Sequence, residues 1–243
     1  MKASDTSFYG SVQVYLDSLL GLRNEREILE NVARLFKQHA NPEKTSVLDV
    51  CCGPGTIARY IAGTVPNIQG VGIDVNDIHL EAARKDFPET WEFYHMDAAS
   101  YDLQRTFDFV TGTSAYHHIE DEFKPDFLRL VAKHLKDDGK AIVGENFLPN
   151  YNGNRPEAVS RYYDALKAYY EAGNGTQQGI EAIGEVRQLE ESGVEEHKVP
   201  FGVFQSQAEE VGLIIEQDVV IWQPDEFKED NAGSHVLLLS KTL

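Results

Sequence analysis

The stretch VLDVCCGPGTIARY, residues 47–60, passes from an apolar run through a glycine turn into a helical pattern. Its GPGTIA segment, residues 53–58, fits G-x-G-x-x-G/A after a predicted strand and at the start of a predicted helix. Glycines at such a turn let the backbone bend sharply and let a ligand approach closely. The stretch therefore predicts a nucleoside-binding turn between a strand and a helix of an α/β fold.

Strands and helices alternate on both sides of this turn. The runs TSVLDV, IQGVGID, WEFYHMD, FDFVTGT and KAIVGEN read as strands, and helical patterns follow the first, second and fourth of them. Such alternation specifies a mostly parallel sheet with helices on both faces. The last two runs, IIEQDVVIW and HVLLLSK, have no helix between them and should pair as an antiparallel hairpin at the sheet edge. We predict a doubly wound α/β fold with a mostly parallel, seven-stranded sheet and a C-terminal antiparallel hairpin.

Charge and cysteine content restrict the class of partner. The chain of 243 residues carries 40 acidic against 22 basic side chains, a formal net charge of −18. Such a surface repels nucleic acid and anionic lipid, so we expect a small-molecule substrate and neither nucleic acid nor membrane as partner. No stretch approaches the roughly 18 apolar residues of a membrane span. The two cysteines are adjacent, which offers no disulfide framework and fits a cytoplasmic protein.

Three acids indicate which nucleoside the turn holds. Asp74 closes the strand after the turn, where a carboxylate can bind ribose hydroxyls, and this pattern alone would also serve NAD. Asp49 lies inside the first strand, where dinucleotide-binding strands are usually apolar. Asp97 ends the third strand, where it could meet an adenine amino group. Asp49, Asp97 and the C-terminal hairpin argue against a dinucleotide as the ligand.

The runs VLDVCCGPG, GVGID, HMDAAS and FDFVTGTSAYHHIED resemble, in this order, the motifs of class I S-adenosylmethionine-dependent methyltransferases. The resemblance covers residues 45–146 and the closing hairpin. It implies one Rossmann-like domain over 1–243, with S-adenosylmethionine as cofactor and methyl transfer to a nitrogen, oxygen or carbon nucleophile. We assign residues 1–40 to N-terminal helices, 45–146 to the cofactor-binding core, 150–200 to a helical lid over the substrate and 201–243 to a closing helix and strands.

The resemblance also implies a set of cofactor contacts. The methionine end would lie at the glycine turn, the ribose and adenine at the ends of the next two strands, and the sulfonium near the end of the fourth. Cys51 stands where the family has its first glycine, so a Cβ narrows the approach there. The residues concerned are Asp49, Cys51, Gly53 and Gly55 for the methionine end, Asp74 and Val75 for the ribose, Asp97 and Ala98 for the adenine, and Thr113 and Ser114 near the sulfonium.

Candidate catalytic residues follow the fourth and fifth strands. Methyl transfer requires a placed nucleophile and, in some cases, a base that takes its proton. Tyr116, His117 and His118 follow the fourth strand, and His118 is preferred as base because the resembling motif usually keeps its histidine there; the alternative is packing over the cofactor. Glu145 could bind a substrate ammonium or act as base, or simply hydrogen bond a neighbouring helix. Asn146 is a substrate candidate.

Metal and thiol chemistry are not expected. The adjacent His117 and His118 with Glu145 lack the usual ligand spacing of i and i+4, so we expect no metal. Cys51 and Cys52 lie where a strand enters its turn and are interpreted as packing groups, because no activating base is close in sequence.

Aromatic side chains provide candidates for the substrate pocket. Tyr162, Tyr163, Leu166, Tyr169 and Tyr170 recur at helical spacing in the lid, either as packing against the sheet or as a pocket wall that attracts a cation. Tyr162 and Tyr151 are the lid candidates, and Tyr9 and Tyr15 could close the opposite side. Two other functions stay open: transfer or cyclisation of the aminocarboxypropyl arm, which releases methylthioadenosine, and a non-catalytic scaffold. A homodimer is also left open.

Overall fold

The computed structural model describes residues 11–65, 67–87, 89, 91–192 and 196–242. One seven-stranded sheet forms its centre, with the strand order 3-2-1-4-5-7-6. Only the seventh strand runs antiparallel to its neighbours, as the predicted C-terminal hairpin requires. The strands are β1 (Thr45–Val50), β2 (Ile68–Asp74), β3 (Trp91–His95), β4 (Phe107–Thr113), β5 (Leu135–Phe147), β6 (Leu213–Trp222) and β7 (Gly233–Lys241).

Helices cover both faces of this sheet, which confirms the predicted doubly wound fold. Among the described helices, none is long and apolar enough to cross a membrane. The helices are α1 (Val12–Leu20), α2 (Arg23–His39), α3 (Thr56–Ile61), α4 (Asp77–Asp86), α5 (Lys124–His134), α6 (Arg155–Tyr169), α7 (Gln177–Ser192) and α8 (Phe201–Glu210).

Two apolar layers hold the helices on the sheet. One face of the sheet packs against α5 and α8 through Phe127 and Phe204, and the other packs against α2 through Ile28 and Val32. These four side chains are at most 1% exposed, as are most of the β1 side chains, because a central parallel strand is covered on both faces. The same covering leaves open the ends of the strands, where the turns lie.

The fifth strand and the closing hairpin complete one side of the sheet. The helix α5 ends at His134 and β5 begins directly at Leu135, so the polar residues DDGK, 137–140, lie within this strand, which has an irregular register opposite β4. The hairpin pairs antiparallel at the sheet edge, as predicted, with β7 between β5 and β6 and with β6 at the edge.

The segment predicted as a lid is helical, as expected, and has its own apolar packing. Tyr162, Tyr163 and Leu166 on α6 are at most 3% exposed and pack with Leu148 and Trp222. The Tyr162 ring lies edge-on to Trp222, with the ring centroids 5.6 Å apart. The aromatic stripe is therefore packing between α6 and the sheet edge, which is the first of its two predicted meanings.

Candidate functional site

The glycine turn lies at the carboxyl end of β1, where β2 holds it in place. The Asp74 carboxylate accepts hydrogen bonds from Gly53 N and from Asn76 N, each at 2.8 Å. Gly53 and Gly55 have φ values of +53° and +78°, and Cys51, which replaces a glycine of the related motif, has a φ of +58°. A non-glycine residue in this region costs about 1–2 kcal/mol. The turn is thus held in a strained conformation by its surroundings.

Asp49 lies beneath the turn and is only 2% exposed. Its Oδ1 accepts a hydrogen bond from Thr111 Oγ1 at 2.7 Å, whereas its Oδ2 has no partner within the described structure. Burial, opposed by the bond from Thr111 and assisted by the charge of Asp74, raises the pKa of Asp49 to about 7. An unpartnered buried carboxylate oxygen is costly, so this atom is suited to a ligand that supplies a donor or positive charge.

A pocket opens above Asp49 between the strand ends and the N-terminal helices. It is lined by Asp49, Cys51, Gly53, Thr113 and Ser114, all of which were predicted to contact the cofactor. Thr113 Oγ1 is a second buried oxygen without a partner among the described residues. The sequence motifs therefore converge on one cavity, and two polar atoms in its lining remain available to a ligand.

The remaining predicted cofactor residues lie along neighbouring strand ends, outside this lining. Asp74 ends β2, Val75 follows it, and both are partly exposed. Asp97 lies just beyond β3 and accepts a hydrogen bond from Ala99 N at 2.8 Å. Ala98 is 2% exposed and belongs to the core. Asp74 and Asp97 thus lie at the carboxyl ends of the adjacent strands β2 and β3, in the order expected for a ribose and an adenine. Their contacts with the cofactor stay predictions.

The N-terminal helices contribute to the pocket two residues of different origin. Tyr15 on α1, a predicted substrate residue, lines the pocket and packs against the His79 ring, with the ring centroids 5.1 Å apart and the planes tilted by 38°. Glu25 in the first turn of α2 also lines it, and the sequence reading missed this residue. Its enclosure raises its pKa, although the hydrogen bond from Asn146 opposes the rise. Tyr9 lies outside the described residues.

Glu25 ends a series of side-chain hydrogen bonds that links α2 to β5, to β7 and to the turn after β4. Its oxygens accept hydrogen bonds from Asn146 Nδ2 at 3.0 Å and from Ser114 Oγ at 3.3 Å. Asn146 Oδ1 accepts from Ser234 Oγ at 2.5 Å, and Asn24 Nδ2 donates to the same hydroxyl at 3.0 Å. The Asn146 amide, a predicted substrate contact, is thus used to hold Glu25 at the pocket.

His117 and Glu145 form a buried pair next to the pocket. Their Nδ1 and Oε1 atoms are 2.5 Å apart, and Glu145 also accepts a hydrogen bond from His117 N at 3.2 Å. Burial lowers the pKa of His117 and raises that of Glu145. Neither residue belongs to the pocket lining. Glu145 was predicted, as one alternative, to hydrogen bond a neighbouring helix, and it instead bonds His117 in the turn after β4. The His118 side chain, the preferred base, is 35% exposed.

A buried ion network lies between His117 and the lid. Lys198 Nζ pairs with Glu196 and, at 3.2 Å, with Glu190, and Arg155 at the start of α6 pairs with Glu190. Although burial opposes both shifts, the charge of Lys198 lowers the pKa of Glu196 to about 2, and the charge of Glu196 raises that of Lys198. This network could not be predicted, because in the sequence its glutamates are indistinguishable from acidic residues on a solvent-exposed surface.

Three tyrosines with predicted roles lie outside the lining of the pocket. Tyr116 is 1% exposed, and its hydroxyl donates to Gln207 Oε1 on α8 at 2.5 Å, so it packs the core instead of facing an acceptor. Tyr162 is enclosed in the packing of α6 described above, which corrects its assignment to the substrate wall. Tyr151 is half-buried beside that same cluster.

Part of the chain, including the glycine turn, is similar in sequence to known methyltransferases. Residues 47–139 match a family model described as a methyltransferase domain. An uncharacterized protein of Rickettsia prowazekii (strain Madrid E) is 27% identical over 134 residues, which cover 51% of this chain and 52% of that protein. The match thus spans about half the length of this curated relative.

Solved structures share the fold over most of the chain. A TehB-like SAM-dependent methyltransferase from Corynebacterium glutamicum is 20% identical with a TM-score of 0.55, and 87% of each chain is covered. The magnesium protoporphyrin IX methyltransferase from Synechocystis PCC 6803, solved with bound SAH, is 15% identical with a TM-score of 0.60. That match covers 90% of this chain and 84% of that chain.

Proposed function

We propose that this chain, whose residues 47–139 match a methyltransferase-domain model, is a class I S-adenosylmethionine-dependent methyltransferase that methylates a small-molecule acceptor at a nitrogen, oxygen or carbon atom. The observation that carries this proposal is the pocket at the ends of β1 and β4, which α1 and α2 cover and whose lining keeps two polar atoms without partners. An enclosed pocket suits a small acceptor. The net charge of −18 further disfavours a nucleic acid.

The residues of the turn fit the methyl donor. S-adenosylmethionine supplies an electrophilic methyl group on a positively charged sulfonium. Asp49 would hold the cationic methionine end through its unpartnered Oδ2, and Thr113 would add a hydroxyl at the same pocket. The carboxylate of Asp74, which already orients the turn, would bind the ribose hydroxyls, because a carboxylate oxygen can accept more than one hydrogen bond.

The acceptor side is assigned to Glu25 and the groups that hold it. A carboxylate whose pKa is raised above its ordinary value by burial is a stronger base, and it is suited to take a proton from an amine or hydroxyl as the methyl group moves. Ser114 and Asn146 keep this carboxylate in a fixed orientation. Because Asp49 and Glu25 share the lining, their charges disfavour an acceptor that places its own carboxylate or phosphate here.

Product analysis tests the reaction. The protein is incubated with S-adenosylmethionine and a panel of amines and phenols, and the nucleoside product is identified by mass spectrometry. S-adenosylhomocysteine with a methylated acceptor is expected. Methylthioadenosine would instead indicate transfer or cyclisation of the aminocarboxypropyl arm, and tight cofactor binding without any product would indicate a scaffold.

The role of Glu25 has a matched control on the same helix. Glu25→Gln should lower kcat by about 10²–10⁴-fold, because it removes the base, while the cofactor Kd changes by only a few fold. Glu27→Gln removes a carboxylate that pairs with Arg23 on the helix surface, and it should leave both quantities unchanged. Equal kcat values for the two variants would contradict the assignment.

A further inference from the structure

We propose a metal site formed by His117, His118 and Glu196, which would take a divalent transition metal such as Zn²⁺. The three side chains come from the turn after β4 and from the chain beyond α7, and one nitrogen or oxygen atom of each lies within 4.8 Å of the others. Imidazole and carboxylate are the ligand types that zinc sites combine. This inference rests on neither the methyl donor nor the acceptor.

The distances within the cluster leave room for one ion between the three side chains. His117 Nε2 lies 3.6 Å from Glu196 Oε2, which also accepts a hydrogen bond from Lys198 Nζ, and His118 Nδ1 lies 3.8 Å from the other oxygen, Glu196 Oε1. Both distances are too long for a hydrogen bond. Two ligands bound at about 2.1 Å in tetrahedral geometry stand about 3.4 Å apart, so small side-chain movements would complete the site.

The surroundings of His117 have the form of an outer ligand shell. Its Nδ1 is held by Glu145, which fixes the ring and directs Nε2 toward Glu196. Metal-binding histidines almost always make such a bond to a carboxylate or carbonyl through the nitrogen that does not bind the metal. Glu145, for which the sequence predicted no role in metal binding, is thus a positioning residue, and Glu196 is the carboxylate ligand.

Charge also favours a bound cation. Glu145, Glu190 and Glu196 are nearly completely buried, and the cations paired with the last two are Lys198 and Arg155. The buried Lys124 adds a third cation, which pairs with Asp121. Four carboxylates thus face three positive charges, and the partner of Glu145 is the His117 ring. A divalent ion between the histidines and Glu196 would compensate the remaining charge.

The chemistry of the site follows from its three protein groups. Three protein ligands leave a fourth tetrahedral position for water or for a substrate atom. The His118 side chain is 35% exposed, so the ion has a route of entry. The backbone already joins the same two segments, because His197 N donates to His117 O at 2.7 Å. A bound metal would therefore fasten the chain beyond α7 to the turn after β4.

Metal titration of the full chain tests this proposal. After chelator treatment and dialysis, Zn²⁺ is titrated by calorimetry, and Co²⁺ is titrated by its visible absorption, which reports tetrahedral coordination. We expect one ion per chain with a Kd near or below about 1 μM. His118→Gln and Glu196→Gln should weaken binding by at least about 100-fold, and Glu145→Gln by about 10–100-fold.

The matched control is His197→Gln, which removes an imidazole adjacent to the ligands and should leave the Kd unchanged. If Glu196→Gln fails to fold because Lys198 loses its partner, His118→Gln decides, since its side chain is partly exposed. The absence of saturable binding to the wild-type chain would overturn the proposal. Binding that survives both His118→Gln and Glu196→Gln would overturn it as well.

Discussion

The pocket above the glycine turn and the ion network beneath the lid bury charge in opposite ways. In the pocket, Asp49 Oδ2 and Thr113 Oγ1 have no partner, and Cys51 holds a strained backbone conformation. In the network, the carboxylates of Glu190 and Glu196 are both paired with Lys198. Unsatisfied groups and strain concentrate where a ligand binds, whereas satisfied pairs hold segments together.

The direction in which the pKa of a buried acid is shifted separates an acid suited to binding a cofactor from one that stabilises the fold. Asp49 has a pKa of about 7 because burial is only partly offset, and Glu196 has one of about 2 because Lys198 dominates. The first carboxylate can change protonation when a cation binds near it. The second stays ionised across the physiological range and supports structure or metal binding.

The largest expected effect comes from breaking the paired region. Lys198→Met leaves Glu190 and Glu196 buried without their shared cation, so the free energy of unfolding should fall by about 3–5 kcal/mol. Urea unfolding followed by circular dichroism measures the loss. Lys228→Met removes a 63% exposed partner of Asp225 and should leave the free energy of unfolding unchanged within error, because water screens an exposed ion pair. Similar losses in both variants would show that the network is not structural.

The strained turn should respond next. Gly55 has a φ of +78°, and a Cβ there would lie 3.1 Å from the Phe87 ring, so Gly55→Ala should cost about 1–2 kcal/mol of stability and weaken cofactor binding. Gly63→Ala is the control, because a Cβ at that position meets no atom within 4 Å. Thermal unfolding and calorimetry measure both effects. An unchanged Gly55→Ala protein would mean that the turn is not strained.

The unpartnered carboxylate predicts a pH dependence of binding. In the free protein the Asp49 pKa is about 7, and a cationic ligand favours the ionised form, so binding below pH 7 releases a proton. The association constant for S-adenosylmethionine should therefore rise up to about tenfold per pH unit from 5.5 to 7 and then level off. Asp49→Asn should bind more weakly and lose this component of the slope.

The control for that experiment is Asp108→Asn, at the opposite end of the sheet. Although partial burial opposes it, the hydrogen bond from Lys136 holds the pKa of Asp108 below its ordinary value, so this group does not titrate in the same range. The pH profile should keep its wild-type slope in Asp108→Asn. A slope that survives in Asp49→Asn would assign the titration to another group.

The smallest effect on activity should come from Tyr116. Tyr116→Phe removes the hydrogen bond to Gln207 and should cost about 1 kcal/mol of stability, because a half-buried acceptor loses its donor. Its kcat should remain within about twofold of the wild type once an acceptor is known. A fall of more than about 100-fold would return Tyr116 to the catalytic residues.

Local patterns predicted the strands and the glycine turn on the side of the molecule assigned to the cofactor, whereas the cofactor contacts of the individual residues stay predictions. The strands, the glycine turn and the acids at 49, 74 and 97 are visible in sequence because each lies beside its own strand. Glu25 was missed because its place at the pocket depends on how α2 packs over β4. A polar residue on an otherwise apolar helix face was the available signal, and Asn146 had no reason from sequence to be its partner.

The lid side could not be predicted in the same way. Glu196 meets His117 only after the chain has passed through α5, β5, α6 and α7, so no local spacing encodes the contact. The aromatic stripe of α6 fitted both packing and pocket, and only the position of Trp222 on the distant β6 decides between them.

Calorimetric titration of S-adenosylmethionine into the wild-type chain and into Asp74→Ala tests whether the glycine turn binds this cofactor. We expect micromolar binding to the wild type and to the control Asp77→Ala, whose carboxylate lies on the surface in the first turn of α4. We expect loss of binding in Asp74→Ala, because this carboxylate orients the turn and would hold the ribose. No binding of S-adenosylmethionine to the wild type, together with tight binding of NAD, would contradict this expectation.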